Sequence, residues 1–222
     1  RRRLARQYQF ELVDLTATDW GNGPDDTKAV QLWRDPIVTA TEPADGAVDV
    51  PVDTPVSLTW SLPMDAGTSF DVSGPGGSVS GSFSADVSNQ IITFTPDVPL
   101  AAGTVYTVTA AGQVSNGNVQ QVTAVSTFTT ITVQEMINQL IQDVEALNSA
   151  GTLNKGQTNA LVKKLEGAIT KFNAGQPHVA VARLNAFINQ VNGLVGDGVL
   201  TSAQGQALIH DAQVIIAAIN AG

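Results

Sequence analysis

Apolar residues change their period near residue 131. Before that point they come in short runs alternating with polar residues, and after it they recur at spacings of three and four over longer stretches. Alternation puts successive side chains on opposite faces of a strand, whereas the three-and-four spacing is the stripe of an amphipathic helix. The first part therefore predicts a β domain and the second an α domain.

Between residues 37 and 130, seven runs rich in Val, Ile, Thr, Phe and Ser read as strands: IVTAT, VSLTW, SFDVS, SVSGSFS, IITFTP, VYTVTA and TAVSTFTT, punctuated by Gly, Pro and Asp. That number and spacing is expected of an immunoglobulin-like sandwich. In VSLTW, Val56, Leu58 and Trp60 share one face and Ser57 and Thr59 the other, and Ile92 and Phe94 repeat the pattern. In VYTVTA the more apolar face carries Tyr106, Val108 and Ala110. Tyr106 follows the turn LAAGT, a position from which its hydroxyl can bond back to the turn backbone.

Residues 131–222 predict four helices. The first carries Val133, Met136, Ile137, Leu140, Ile141, Val144 and Leu147 on one stripe, opens on a Thr132/Glu135 capping box and stops near Gly151. The second starts at Asn154 with Gln157 as its box partner, turns Leu161, Leu165, Ile169 and Phe172 inward and ends at Gly175. Pro177 opens the third, with Leu184, Phe187, Ile188, Val191 and Leu194 apolar. Thr201 with Gln204 opens the fourth, which runs through Leu208, Ile215, Ile216 and Ile219. A shift of 47 residues lays Ile137, Asn138, Leu140, Ile141, Val144 and Leu147 on Leu184, Asn185, Phe187, Ile188, Val191 and Leu194. The same shift lays Gly151, Leu153, Gln157, Ala160 and Leu161 on Gly198, Leu200, Gln204, Ala207 and Leu208. The four helices thus read as a duplicated αα-hairpin folded into a pseudo-two-fold antiparallel four-helix bundle.

Residues 1–36 contain two more strand-like runs, YQFELVDLTAT and TKAVQLW, around the turn cluster DWGNGPDD. A lone hairpin is marginal in water, so this pair is expected to be the terminal hairpin of a preceding Ig-like domain or to dock on the next module. Trp20 and Trp33 are expected to pack across it rather than to bind sugar. The start RRRLARQYQFEL lacks an initiator Met and a signal-peptide core, which suggests a piece of a longer polypeptide.

Composition narrows the chemistry. With no cysteine, thiolate catalysis, Cys-ligated zinc and iron–sulfur clusters are excluded, and two histidines are the only imidazole ligands. Between Arg34 and Lys155 there is no Lys or Arg, while Glu42, Asp45, Asp49, Asp53, Asp65, Asp71, Asp86 and Asp97 fall in that gap. Residues 37–130 therefore carry −8 of the net −9. Such a segment repels phosphate backbones and anionic headgroups, so nucleic acid is not an expected partner. No apolar run approaches the roughly 18 residues of a membrane-spanning helix, so membrane insertion is not expected either.

The strings VTATEPADGAVDVPVDTPVSLTWSLPMD, TFTPDVPLAAGTVYTVTAAG and STFTT together resemble the SbsA-type bacterial Ig-like domain over about residues 37–130. Trp60 stands where that family more usually has Phe. The strings SAGTLNKGQTNALVKKLEGAI, LNAFINQVNGLV and LTSAQGQALIHDAQVII resemble the FIMAH domain over about residues 135–220. The first resemblance implies a spacer or structural repeat of exported bacterial surface proteins, and the second implies interaction or anchoring rather than turnover. Neither carries over a catalytic residue.

The residues themselves offer little to set against this. His178 and His210 are expected on helix surfaces, and a metal site using them with Asp211 or Glu166 would lack any HExxH spacing. GPGGSVSGS matches neither the dinucleotide nor the phosphate-loop pattern and reads as a turn. Asp14, Asp19, Asp25, Asp26 and Asp35, then Asp45, Asp49 and Asp53 in the sandwich's first loop, supply the hard oxygens calcium prefers, without EF-hand spacing. The competing reading makes Asp45 and Asn22 turn formers that accept bonds from amides two residues on. No catalytic, cofactor-binding or metal-ligating residue is assigned, and no cofactor is expected, with calcium as the alternative.

The expected whole is multidomain β plus α: a hairpin (1–36), an Ig-like β-sandwich (37–130) and a four-helix FIMAH-like bundle (131–222). It is expected to be a non-enzymatic structural or interaction region of an exported bacterial cell-surface protein. Its partners would be neighbouring domains of the same chain, other cell-surface proteins or polysaccharide. Two alternatives remain: accessory, polysaccharide-binding modules of a secreted enzyme, and a filament or S-layer subunit whose first 36 residues donate strands to a neighbour. Trypsin has no site from Asp35 to Asn154. A broad-specificity protease is expected to spare residues 37–130 as one piece as well, and early cuts inside the strand runs would refute a compact sandwich.

Overall fold

The structure is a computed structural model that describes residues 35–120 and 123–221. Trp20, Trp33, Asn22, Asp14, Asp19, Asp25, Asp26 and nearly all of the expected N-terminal hairpin lie outside the described residues. In chain order the strands are β1 (Val38–Glu42), β2 (Ala47–Val50), β3 (Val56–Trp60), β4 (Asp71–Gly74), β5 (Gly77–Ser78), β6 (Gly81–Ala85), β7 (Ile91–Pro96), β8 (Val105–Ala110), β9 (Val114–Ser115), β10 (Asn118–Val119) and β11 (Ala124–Thr130). One sheet has the order β1-β3-β7-β6 and is antiparallel throughout. The other has the order β2-β11-β8-β4-β5 and is antiparallel except for the β2/β11 pair.

The inward faces are those the alternation predicts. Val56, Leu58 and Trp60 of β3, Ile92 and Phe94 of β7, and Tyr106, Val108 and Ala110 of β8 are all buried in one cluster with Phe128 of β11. Tyr106 and Phe128 sit on paired positions of β8 and β11 with ring centroids 5.6 Å apart. The Tyr106 hydroxyl accepts from the Ala101 amide at 2.9 Å, closing the turn before its own strand as its position suggested. Trp60 is buried to 1 % exposure, and among the described residues its indole N–H has no hydrogen-bond partner. The ring is held there by burial rather than by a polar tie.

Three features depart from the sequence reading. ADGAVDVPVD, taken as a loop holding Asp45, Asp49 and Asp53, contains β2, which pairs with β11 through a register shift and carries Asp49 at φ 55°. Gly, Asp and Pro dominate that stretch because an irregular edge needs them, so it reads as a turn. SVSGSFS is not one strand: β5 belongs to one sheet and β6 to the other, with the chain changing sheets between them. The β9/β10 hairpin carries no alternation and is too short for the pattern to reveal.

The helices are α1 (Val133–Ser149), α2 (Lys155–Asn173), α3 (Pro177–Gly196) and α4 (Ser202–Ala221). The Thr132/Glu135 and Asn154/Gln157 capping boxes are both closed, and Thr201 and Gln204 make the same reciprocal bonds at α4. The 47-residue repeat holds in three dimensions. Ile137, Leu140, Val144, Leu153 and Leu161, and their mates Leu184, Phe187, Val191, Leu200 and Leu208, are all buried in one core. Gly151 and Gly198 end their helices at φ 75° and 70°, and Leu153 and Leu200 donate to the equivalent carbonyls of Leu147 and Leu194. Each helix packs on the next and α4 returns to α1, which closes the square. The repeat breaks at buried Thr158, whose mate is Gly205: a β-carbon on Gly205 would run into the Val195 side chain on α3.

Two substitutions test these features. Tyr106→Phe orphans the Ala101 amide and is expected to cost about 1–2 kcal/mol. Gly205→Ala forces α3 and α4 apart and is expected to cost about 1–3 kcal/mol. Both are read by chemical denaturation, and an unchanged midpoint for either would remove its assigned role.

Candidate functional site at the sandwich and bundle junction

The link between the modules is two residues long, Ile131 and Thr132, and Thr132 already caps α1. Thr130 fixes the end of β11: its hydroxyl donates to Ala101 O at 2.6 Å and accepts from the Thr104 amide at 2.9 Å. The Ile131 amide donates to Val50 O at 2.8 Å and the Gly103 amide to Ile131 O at 2.9 Å. The linker therefore behaves as an extension of the sheet.

The decisive contact comes from the loop between β2 and β3. Val52 is 0 % exposed, yet it belongs to the helical core and not to the sandwich core. Its own carbonyl accepts from the Leu100 amide at 2.7 Å, so the backbone is tied to the sandwich while the side chain is buried in the bundle. It enters the groove between α1 and α4, where Met136 and Leu140 face Val214 and Ile215.

Around that wedge lies a half-open cleft of about 260 Å³. Its polar lining is Asp49 and Asp53 from the sandwich, Gln139 and Asp143 from α1, and His210 and Asp211 from α4. Burial pushes the Asp211 carboxyl above its ordinary value, Asp143 and Asp53 push it further, and His210 opposes them. Among the described residues no group of three His, Asp or Glu stands close enough to hold a metal ion.

The residues weighed from sequence are distributed otherwise. His178 and His210 are both exposed, as expected, one in the first turn of α3 and the other midway along α4. Antiparallel packing sets them roughly 15 Å apart along the bundle axis. Glu166 lies on α2, diagonal to α4, and does not line the cleft. Asp45 stands in a turn, closed by the Ala47 amide on Ala44 O at 3.0 Å, but its carboxylate accepts from the Thr127 amide at 2.8 Å rather than from an amide two residues on, tying the first loop to β11. Asp86 accepts from the Ser88 hydroxyl and from the Ser88, Gln90 and Ile91 amides; the Ser88 bond foremost holds its pKa down to about 2. Asp143 was not singled out from the sequence at all, because nothing local to α1 marks it.

Val52, buried in the helical core from a sandwich loop, is expected to make the two modules one cooperative unit. With Trp20 and Trp33 replaced by Phe, Trp60 is the one remaining tryptophan and its fluorescence reports the sandwich, while the far-ultraviolet helix signal reports the bundle, and the two denaturation curves are expected to coincide. Val52→Ala is expected to cost about 2 kcal/mol, and Val52→Asp to split the two curves. Coincident curves in Val52→Asp would show that the wedge does not couple the modules.

No curated protein matches the chain. Among solved structures, domains 1–6 of the surface layer protein SbsC align over 44 % of this chain and 14 % of that one, at 22 % identity and TM-score 0.34. CopC from Methylosinus trichosporium OB3b aligns over 44 % of this chain and 94 % of its own, at 18 % identity and TM-score 0.38. An L,D-transpeptidase from Mycobacterium smegmatis aligns over 43 % and 40 %, at 22 % identity and TM-score 0.32. Family models match the two modules in turn, so that residues 34–130 belong to a bacterial Ig-like domain and residues 137–217 to a FIMAH domain.

Proposed function

We propose that the chain is a non-enzymatic part of an exported bacterial surface protein, in which the sandwich is a spacer and the bundle an anchoring module for an anionic envelope polysaccharide. Both families are non-catalytic types. Among the described residues no helix is long and apolar enough to cross a membrane, so attachment through the bundle would run through its surface.

The observation that carries the reading is the segregation of charge. All five cations among the described residues, Lys155, Lys163, Lys164, Lys171 and Arg183, lie on α2 and α3, with Glu166 as the one acid in those two helices. α1 and α4 carry Glu135, Asp143, Glu145 and Asp211 and no Lys or Arg. The sandwich loop occupies the α1/α4 groove, so the cationic pair is turned away from it and is free to meet a polyanion.

Two measurements test this. Antibody to the chain should label intact cells that express the parent protein. The chain should also co-sediment with purified Gram-positive cell walls that carry anionic polymer, and much less with walls stripped of it. Charge reversal at Lys163, Lys171 and Arg183 is expected to weaken that binding at least about tenfold. Labelling only after permeabilisation would refute surface exposure, and equal binding by the reversed variant would refute the anionic-polymer reading.

A further inference from the structure

The internal repeat supplies a comparison within one molecule. A shift of 47 residues carries the α1/α4 groove onto the α3/α2 groove, Asp143 onto Gln190 and Lys164 onto Asp211. In the α2/α3 groove the Lys164 ammonium donates to the Gln190 side-chain oxygen, bridging the helices. In the α1/α4 groove the same two positions hold a pair of carboxylates, and Asp53 from the sandwich lines the cleft with them. The packing follows the charge: α2 and α3 make the most extensive helix contact of the bundle and α1 and α4 the least. The less closed groove is the one that admits Val52.

We propose that the joint between sandwich and bundle is a proton-sensitive latch, which tightens as Asp211 takes up its proton in the cleft it shares with Asp53 and Asp143 and loosens as it ionises. The groups facing Asp211 are Asp49 and Asp53 from the β2–β3 side, Asp143 from α1 and His210 on its own helix, while α2 and α3 contribute no charged side chain to the cleft. Among the described residues no Lys or Arg lines the cleft, and none occurs between residues 35 and 154. Apolar burial of Val52 holds the joint shut, and the carboxylates set how firmly.

The direction follows from linkage. Asp211 binds its proton more tightly when docked, because the sandwich adds to its burial and brings Asp53 beside it, whereas Asp143, on the same bundle, raises its pKa in both states. The docked state therefore holds more protons than the open one, and docking weakens as pH rises from the ordinary carboxylate value of 3.8 through the raised one. Asp86 acts the other way and only below that window: its contribution to the sandwich is complete above 3.8 and is lost as pH falls toward about 2. It is silent over the range in which the latch works.

The absence of cysteine allows specific labelling. Spin labels on Val87→Cys, at the exposed tip after β6, and Ser149→Cys, at the end of α1, report the angle between the modules in the whole chain. The distance distribution is expected to be narrow at about pH 4, and the open fraction to rise at least about twofold by about pH 8. Asp211→Asn and Asp53→Asn should each flatten that response. The double change Asp143→Gln with Asp211→Lys, which copies the α2/α3 bridge into the cleft, should give a narrow distribution at both pH values. A pH-independent distribution in the parent overturns the proposal. So does an undiminished response in Asp211→Asn, or a response abolished by His210→Gln and retained in Asp211→Asn, which would assign the switch to the imidazole.

Discussion

The arrangement depends on one buried valine. Val52 is anchored through its carbonyl to Leu100 in the sandwich and through its side chain to the core of the bundle. A two-residue linker between independent modules would ordinarily leave their angle free. Here a change of angle would have to withdraw Val52 from the α1/α4 groove or pull the β2–β3 loop off its own sheet. Either exposes apolar surface or breaks buried backbone bonds, so the joint resists bending although its linker is short and its surface small. The Thr132 cap and the Ile131 bonds to Val50 and Gly103 start α1 directly at the sheet, which aims the groove at the loop that fills it.

A symmetric four-helix bundle has two equivalent grooves of this kind, and only one can face the sandwich. The duplicated hairpin resolves the choice through few positions. Its core residues are the same or similar in both copies, and the pair that differs in charge, Lys164 with Gln190 against Asp211 with Asp143, closes one groove and leaves the other open. Thr158 against Gly205 is a second such difference, because the glycine lets α4 pack closely on Val195 of α3. Duplication supplied the fold, and divergence at a handful of surface and boundary positions supplied the docking face.

The sequence disclosed the elements whose physics is local. Capping boxes, helix-ending glycines and the apolar stripe are written within a few residues of one another, and all four helices stand where those signals put them. Clean alternation located β3, β7 and β8 at their observed bounds, and the placement of Tyr106 after its turn foretold its hydroxyl bond. What stayed hidden was decided by long-range pairing. β2 exists because β11 offers an edge some eighty residues away, and Asp45 is held by Thr127 rather than by its neighbours. The cleft unites Asp53, Asp143 and Asp211, each of which reads alone as a solvated surface charge. One signal was present, since the repeat that revealed the bundle also reveals an amide and an ammonium exchanged for two carboxylates.

Charge and packing oppose each other across the joint, and the opposition is not a local accident. The sandwich carries −8 and no cation, and the two helices it rests on carry four acids and no Lys or Arg. Two anionic surfaces meet, so association cannot be electrostatic in origin and must come from apolar burial and covalent continuity. A lysine in place of Asp211 would relieve the repulsion, and its mate in the first hairpin is one, so the fold tolerates the cation there. Keeping the carboxylate makes the docking free energy a difference between a fixed apolar term and an adjustable ionic one. A joint built that way stays closed through Val52 and retains a dependence on protons that a neutral or ion-paired interface would lose.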